Sequence, residues 1–137
     1  METGNFLFAA FLVLVLFFSG CIESAGGGGD NPITVEIQTL RADKPVYHSA
    51  EVMNISVVVY SSTSLENVNV TLTGVNNRIN ELKVVNLTPG ENSMLFTHQL
   101  PSCNTCGGIK PNNYDIYAIV EYDNVTVKKY ITINIQQ

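Results

Sequence analysis

The feature that most constrains this chain is a two-residue period in its apolar side chains, repeated from residue 32 almost to the C-terminus. Residues 51–61 show it most clearly: Met53, Ile55, Val57 and Val59 alternate with Asn54, Ser56, Val58 and Tyr60. Successive side chains of an extended strand point to opposite faces, so one set is aimed at a core and the other at solvent. A helix would need apolar residues three and four apart, and no such period is sustained after residue 32. Six further runs carry the same pattern. Residues 33–40 place Val35 and Ile37 on one face, 68–73 place Val70 and Leu72, and 79–87 follow a Val75-Asn76-Asn77 turn. Residues 93–100 aim Met94, Phe96 and Leu100 inward, and 114–123 align Tyr114, Ile116, Ala118, Val120 and Tyr122. The last run, 125–136, ends on Ile131, Ile133 and Ile135.

Turn chemistry separates the runs. Pro45 cannot donate to a ladder, Thr88-Pro89-Gly90 closes the fourth run, and Asp123-Asn124 suits a two-residue hairpin because both residues tolerate positive φ. Alternation, in place of continuous apolar runs, argues for antiparallel sheets with one wet face each. Seven strands over residues 32–137 predict a single all-β domain, a seven-stranded antiparallel immunoglobulin-like sandwich.

The N-terminus has a different texture. Residues 6–18, FLFAAFLVLVLFF, form an apolar run of 13 residues. That is short for a spanning helix, which needs about 20, and matches the apolar centre of a signal peptide. Ser19-Gly20 and then Cys21 follow. This end resembles the lipobox of prokaryotic lipoproteins, in which the signal peptide is cut before a cysteine that receives lipid on sulfur. The resemblance implies that residues 1–20 are removed and that Cys21 becomes the first, lipidated residue. An uncleaved helical anchor is the alternative. Residues 21–31 contain four consecutive glycines and read as a tether with an r.m.s. span of roughly 17–19 Å. A glycine-rich spacer in this place is similar to those of archaeal surface lipoproteins. The expected location is the outer face of the cell membrane.

Formal net charge is -5, and the few basic residues are scattered, with Lys128-Lys129 the only adjacent pair. No basic stripe is available to neutralise phosphates, which argues against a nucleic-acid partner.

Cys103 and Cys106 form the one Cys-x-x-Cys loop, followed by Gly107-Gly108. The leading reading is a local disulfide outside the reducing cytosol, worth roughly 2 kcal/mol on the chain-entropy model. A redox-active pair is a second reading, although the glycines and Pro111 argue against the helix that usually follows such a pair. A metal site is the third. Zinc wants four ligands, and only His48 and His98 are on offer, in different segments. Blue copper is excluded because no His follows Cys106. His98 has inward parity and reads as a half-buried histidine near a sheet end. Neither a metal nor a cofactor is expected.

Tyr114 opens the sixth run, where immunoglobulin-like domains often place a tyrosine whose hydroxyl bonds back to the backbone; a plain core tyrosine is the other reading. Tyr47 and Tyr60 read as core-edge or surface aromatics. Asn54, Asn69, Asn86 and Asn124 each head an Asn-x-Ser/Thr triplet and are candidate glycosylation sites. No G-x-S-x-G turn, phosphate loop or paired carboxylate set marks a catalytic centre.

The order of these signals resembles a family. KPVYHSAEVMNISVVVY is similar to the Y-x-x-G-E approach to the second strand of CARDB-like and related immunoglobulin-like domains of archaeal surface proteins, with Ser49-Ala50-Glu51 in place of the usual Gly-Glu. LTPGEN resembles the turn before their fifth strand, and NNYDIYAIVEYDN resembles their sixth. The resemblance implies a sandwich over residues 33–135 and says little about activity. The expected function is non-enzymatic: a membrane-tethered extracellular domain acting in binding or adhesion, or as a spacer. Its partners would be the membrane, through lipid on Cys21, and a surface protein or glycan. A redox or metal-binding surface protein using Cys103 and Cys106 is the alternative.

Overall fold

A computed structural model describes residues 32–102 and 108–136. The expectations for residues 1–31, Cys21 among them, and for Cys103 and Cys106 lie outside the described residues. Eight strands follow in order: β1 Val35–Ala42, β2 Val46–His48, β3 Val52–Ser61, β4 Leu65–Gly74, β5 Ile79–Leu87, β6 Gly90–Gln99, β7 Asn112–Tyr122 and β8 Val125–Gln136. They form a three-stranded sheet, β1-β3-β6, and a five-stranded sheet, β2-β8-β7-β4-β5. All pairings are antiparallel except β2 with β8. The expected count of seven is therefore corrected to eight. The additional strand is three residues long, too short to show a period, and exists because Val46, Tyr47 and His48 lie beside Asn134, Ile135 and Gln136.

The period-two runs bury the faces they were expected to bury. Met53, Ile55, Val57 and Val59 are fully enclosed, as are Val70, Leu72, Ile116 and Ala118 on the facing sheet. Phe96, Leu100 and Ile135 complete the same core. Each large aliphatic side chain removed from water contributes about 1.5–3 kcal/mol, so this face dominates stability. Ser61 is the one buried polar residue among those described, and its hydroxyl donates to the Thr63 carbonyl at 2.7 Å.

Two irregularities were hidden in the sequence. The register of β1 slips between Ile37 and Thr39. This bulge reverses the side-chain parity, so that Ile37 and Leu40, an odd number of residues apart, both face the core. The carbonyls freed at the bulge, those of Ile37 and Gln38, accept from Lys129 Nζ of β8 at 3.2 and 2.6 Å. β1, an edge of the three-stranded sheet, is thus fastened to β8 of the other sheet. A second slip, between Leu65 and Val68 of β4, carries Asn67 at φ 56. The Asn67 amide is satisfied by Asn86 Oδ1 at 3.0 Å.

The opposite side of the sandwich, between β5 and β6, is closed by side chains. Lys83 of β5 donates to the Leu95 carbonyl of β6 and lies 4.7 Å from the Phe96 ring centroid. His98 Nδ1 stands 2.9 Å from Glu81 Oε1. The inward parity and partial burial expected of His98 hold, with a carboxylate on the facing edge as its partner.

Candidate functional site

β1 and β3 run antiparallel, with Val35 beside Ser61 and Ala42 beside Ile55. The described chain therefore begins at one pole of the sandwich, where Thr34 and Ser62 bond to each other. The start of β3, the end of β6, the start of β7 and the β4–β5 turn gather at the other pole. With a rise of about 3.3 Å per residue along β3, the two poles are ~30 Å apart.

Three segments build this second, loop-bearing pole. The first runs from Asp43 to Glu51. Tyr47, read from the sequence as a core-edge or surface aromatic, is instead fully buried. Its hydroxyl donates to Asp43 Oδ1 and accepts from the Lys44 amide at 3.1 Å. Asp43 also accepts from the Asn54 amide at 3.1 Å. The Tyr47 hydroxyl holds the Asp43 carboxyl below its usual range, while burial, aided by Asp43, pushes the Tyr47 phenol up to about 12. Glu51 turns back so that its carboxylate accepts from the His48 amide at 2.9 Å, which lowers its pKa. Between them Ala50 adopts φ 63, the left-handed region. An alanine in this region carries a cost of roughly 1 kcal/mol.

The second segment is the cysteine loop, whose two flanks are described. The Pro101 carbonyl accepts from the Ala50 amide at 3.3 Å, and the Leu100 amide donates to Glu51 at 2.9 Å. On the far flank Ile109 is buried. The Tyr114 hydroxyl donates to the Lys110 carbonyl at 2.7 Å, so of the two readings of this residue the backbone-bonding one holds.

The third segment is the turn between β4 and β5. Val75, Asn76 and Asn77 take φ values of 49, 54 and 62, and the Arg78 amide closes onto the Val75 carbonyl at 3.1 Å. Asparagine tolerates this region and valine, β-branched, does not, so Val75 holds its conformation only through its burial in the core. Beside this turn an open groove of about 520 Å3 crosses the ends of β4 and β7. Asn76 and Asn77 line one bank, and Asn112, Asn113, Asp115 and Tyr117 the other. Sequence reasoning missed this groove; the one signal was the paired asparagines, Asn76-Asn77 and Asn112-Asn113. Among the described residues, no group of three or more His, Cys, Asp or Glu converges as a metal site.

No family model and no curated protein sequence matches this chain. Solved structures do. The CARDB domain of PF1109 from Pyrococcus furiosus matches in a solution NMR structure at 17% identity and TM-score 0.54, covering 75% of this chain and 93% of that one. A crystal structure of the same domain, in complex with di-metal ions, matches at 18% identity and TM-score 0.55, with 75% and 91% covered. The fold is that of a CARDB domain. The alkylpurine DNA glycosylase AlkC of Pseudomonas fluorescens, bound to DNA containing an abasic site analog, contains a similar region at 13% identity and TM-score 0.58, over 30% of its length.

On this CARDB-like frame the four sequons differ in exposure. Asn54 is half-buried, with its side chain bonded to Asp43 and to Thr97. Asn69 is half-buried on the outer face of the large sheet, and Asn86 is exposed but spends its Oδ1 on Asn67. Asn124 is exposed at the β7–β8 hairpin tip, beside Asp123 at φ 50.

Proposed function

We propose that the chain is a non-enzymatic, membrane-tethered extracellular binding module, held by lipid on Cys21 and displaying its loop-bearing pole. The observation that carries this reading is the polarity of the sandwich. The described chain begins at one pole, while the Asp43–Glu51 loop, the Val75–Asn77 turn and the flanks of the cysteine loop gather at the other. The tether joins the chain at residue 32, in the opposite pole, and loops on a rigid scaffold are where binding surfaces reside. The apolar run ending at Cys21 and the glycine-rich stretch support the tether. Asn124, exposed on a hairpin tip, is the sequon best placed to carry a glycan.

Stable attachment takes two lipid chains, which a diacyl- or diether-type group on one thiol supplies. Cys21→Ser is expected to release the folded chain from the membrane fraction. Unchanged retention would assign anchoring to the apolar segment itself and refute lipidation.

A further inference from the structure

We infer that the groove at the loop-bearing pole binds a neutral oligosaccharide, a refinement that rests on the binding-module reading above. The groove offers the paired donors and acceptors that vicinal sugar hydroxyls require, since an amide presents N–H and C=O in one plane and a carboxylate accepts twice. These groups are held in place before any ligand arrives. Asn113 Oδ1 accepts from Asn134 Nδ2 at 2.8 Å, which leaves its Nδ2 uncommitted by that bond. Asp115 Oδ1 accepts from the Thr132 hydroxyl at 2.6 Å, leaving its second oxygen unused by that bond. Such pre-ordering reduces the entropy lost on binding.

An apolar platform adjoins the polar groups. Tyr117, which lines the groove, lies 5.7 Å from Tyr130 of β8, ring centroid to centroid. Lys128 Nζ sits 4.1 Å from the Tyr117 centroid, so much of that ring is already engaged. Tyr130 is 61% exposed and free to take the C–H face of a pyranose. A flat aromatic beside fixed amides matches a ring that is apolar on its faces and polar round its rim.

The same features disfavour other occupants. The groove crosses β4 and β7, both interior strands of the five-stranded sheet, so a peptide finds no free edge to pair with. The strained Val75–Asn77 turn gives the asparagine bank its shape, and backbone held in sparsely populated regions clusters at ligand sites.

The test is calorimetric titration of the detergent-solubilised full chain with three neutral tetrasaccharides, of β-1,4-glucose, β-1,4-N-acetylglucosamine and α-1,6-mannose, and one anionic one, of α-1,4-galacturonic acid. Saturable binding of at least one neutral sugar is expected, weakened ~10-fold or more by Tyr130→Ala and by Asn77→Gly. The first change removes an exposed ring, and the second keeps the left-handed turn while deleting its amide, so both variants retain the fold. Binding of none of the neutral sugars, preference for the anionic one, or binding that survives both substitutions overturns the inference. The Cys21→Ser fractionation is independent of sugar, so a tethered chain that binds no sugar refutes this inference alone.

Discussion

Gly74→Ala is expected to destabilise the sandwich by about 3 kcal/mol, the upper part of the range for inserting a methyl group into a packed interior. Gly74 closes β4 opposite Ile116 of β7. A Cβ at this position would stand 2.6 Å from the Asp115 carbonyl oxygen and 3.0 Å from Ile116 Cα. Both are backbone atoms of a strand flanked by β4 on one side and β8 on the other, so neither can yield cheaply. Gly90 supplies the contrast. It has φ 100, and a Cβ there would meet nothing within 4 Å, so alanine incurs only a backbone penalty of about 1–2 kcal/mol. Urea unfolding of the three proteins measures the difference as a shift in midpoint at constant slope. Equal losses at the two glycines would refute the close approach of β4 to β7.

The second large effect centres on Asp43 and Tyr47. Asp43→Ala removes the acceptor of a buried tyrosine hydroxyl and of the Asn54 amide, with an expected loss of about 2 kcal/mol. The same pair bounds stability in pH from both sides. Asp43 has a folded pKa below its ordinary 3.8, so its contribution is complete above pH 3.8 and is lost as pH falls through the lower folded value. Tyr47 has a folded pKa of about 12 against 10.0, so its contribution is complete below pH 10.0 and is lost as pH rises towards 12. Tyr47→Phe should flatten both limbs: it deletes the ionising phenol and also the hydroxyl that lowers Asp43. Urea midpoints recorded from about pH 3 to about pH 12 resolve the two limbs. Limbs of unchanged steepness in Tyr47→Phe would show that other groups set them.

Much of this architecture was legible because strand side chains repeat every two residues. The faces of β3, β4, β7 and β8 followed directly from Met53, Val70, Ile116, Ile133 and their neighbours. Non-local effects were hidden. The β1 bulge leaves no local mark, since its carbonyls are satisfied by Lys129, far along the chain. Strand β2 lies between Pro45 and a left-handed Ala50 and reads as loop until β8 lies beside it. Tyr47 was misjudged for the same reason: one aromatic in a turn-rich stretch carries no period to show which way it points. The backbone bond of Tyr114 was one of two readings open from the sequence, because its position at the head of a strand is a local feature while its hydroxyl's partner is not. The groove drew its residues from two distant turns, so only their shared asparagine content was visible beforehand.

The claim at the centre of this account is that the loop-bearing pole meets the partner while the opposite pole serves the tether. Photocrosslinking on intact cells tests it most directly, with p-benzoylphenylalanine placed either at the exposed Asn80, where β5 leaves the β4–β5 turn, or at Asn124, in the β7–β8 hairpin. The account predicts a discrete, reproducible adduct to a surface glycoconjugate or surface protein from position 80 and none to that partner from position 124. Capture of the same partner from position 124, with none from position 80, would contradict it.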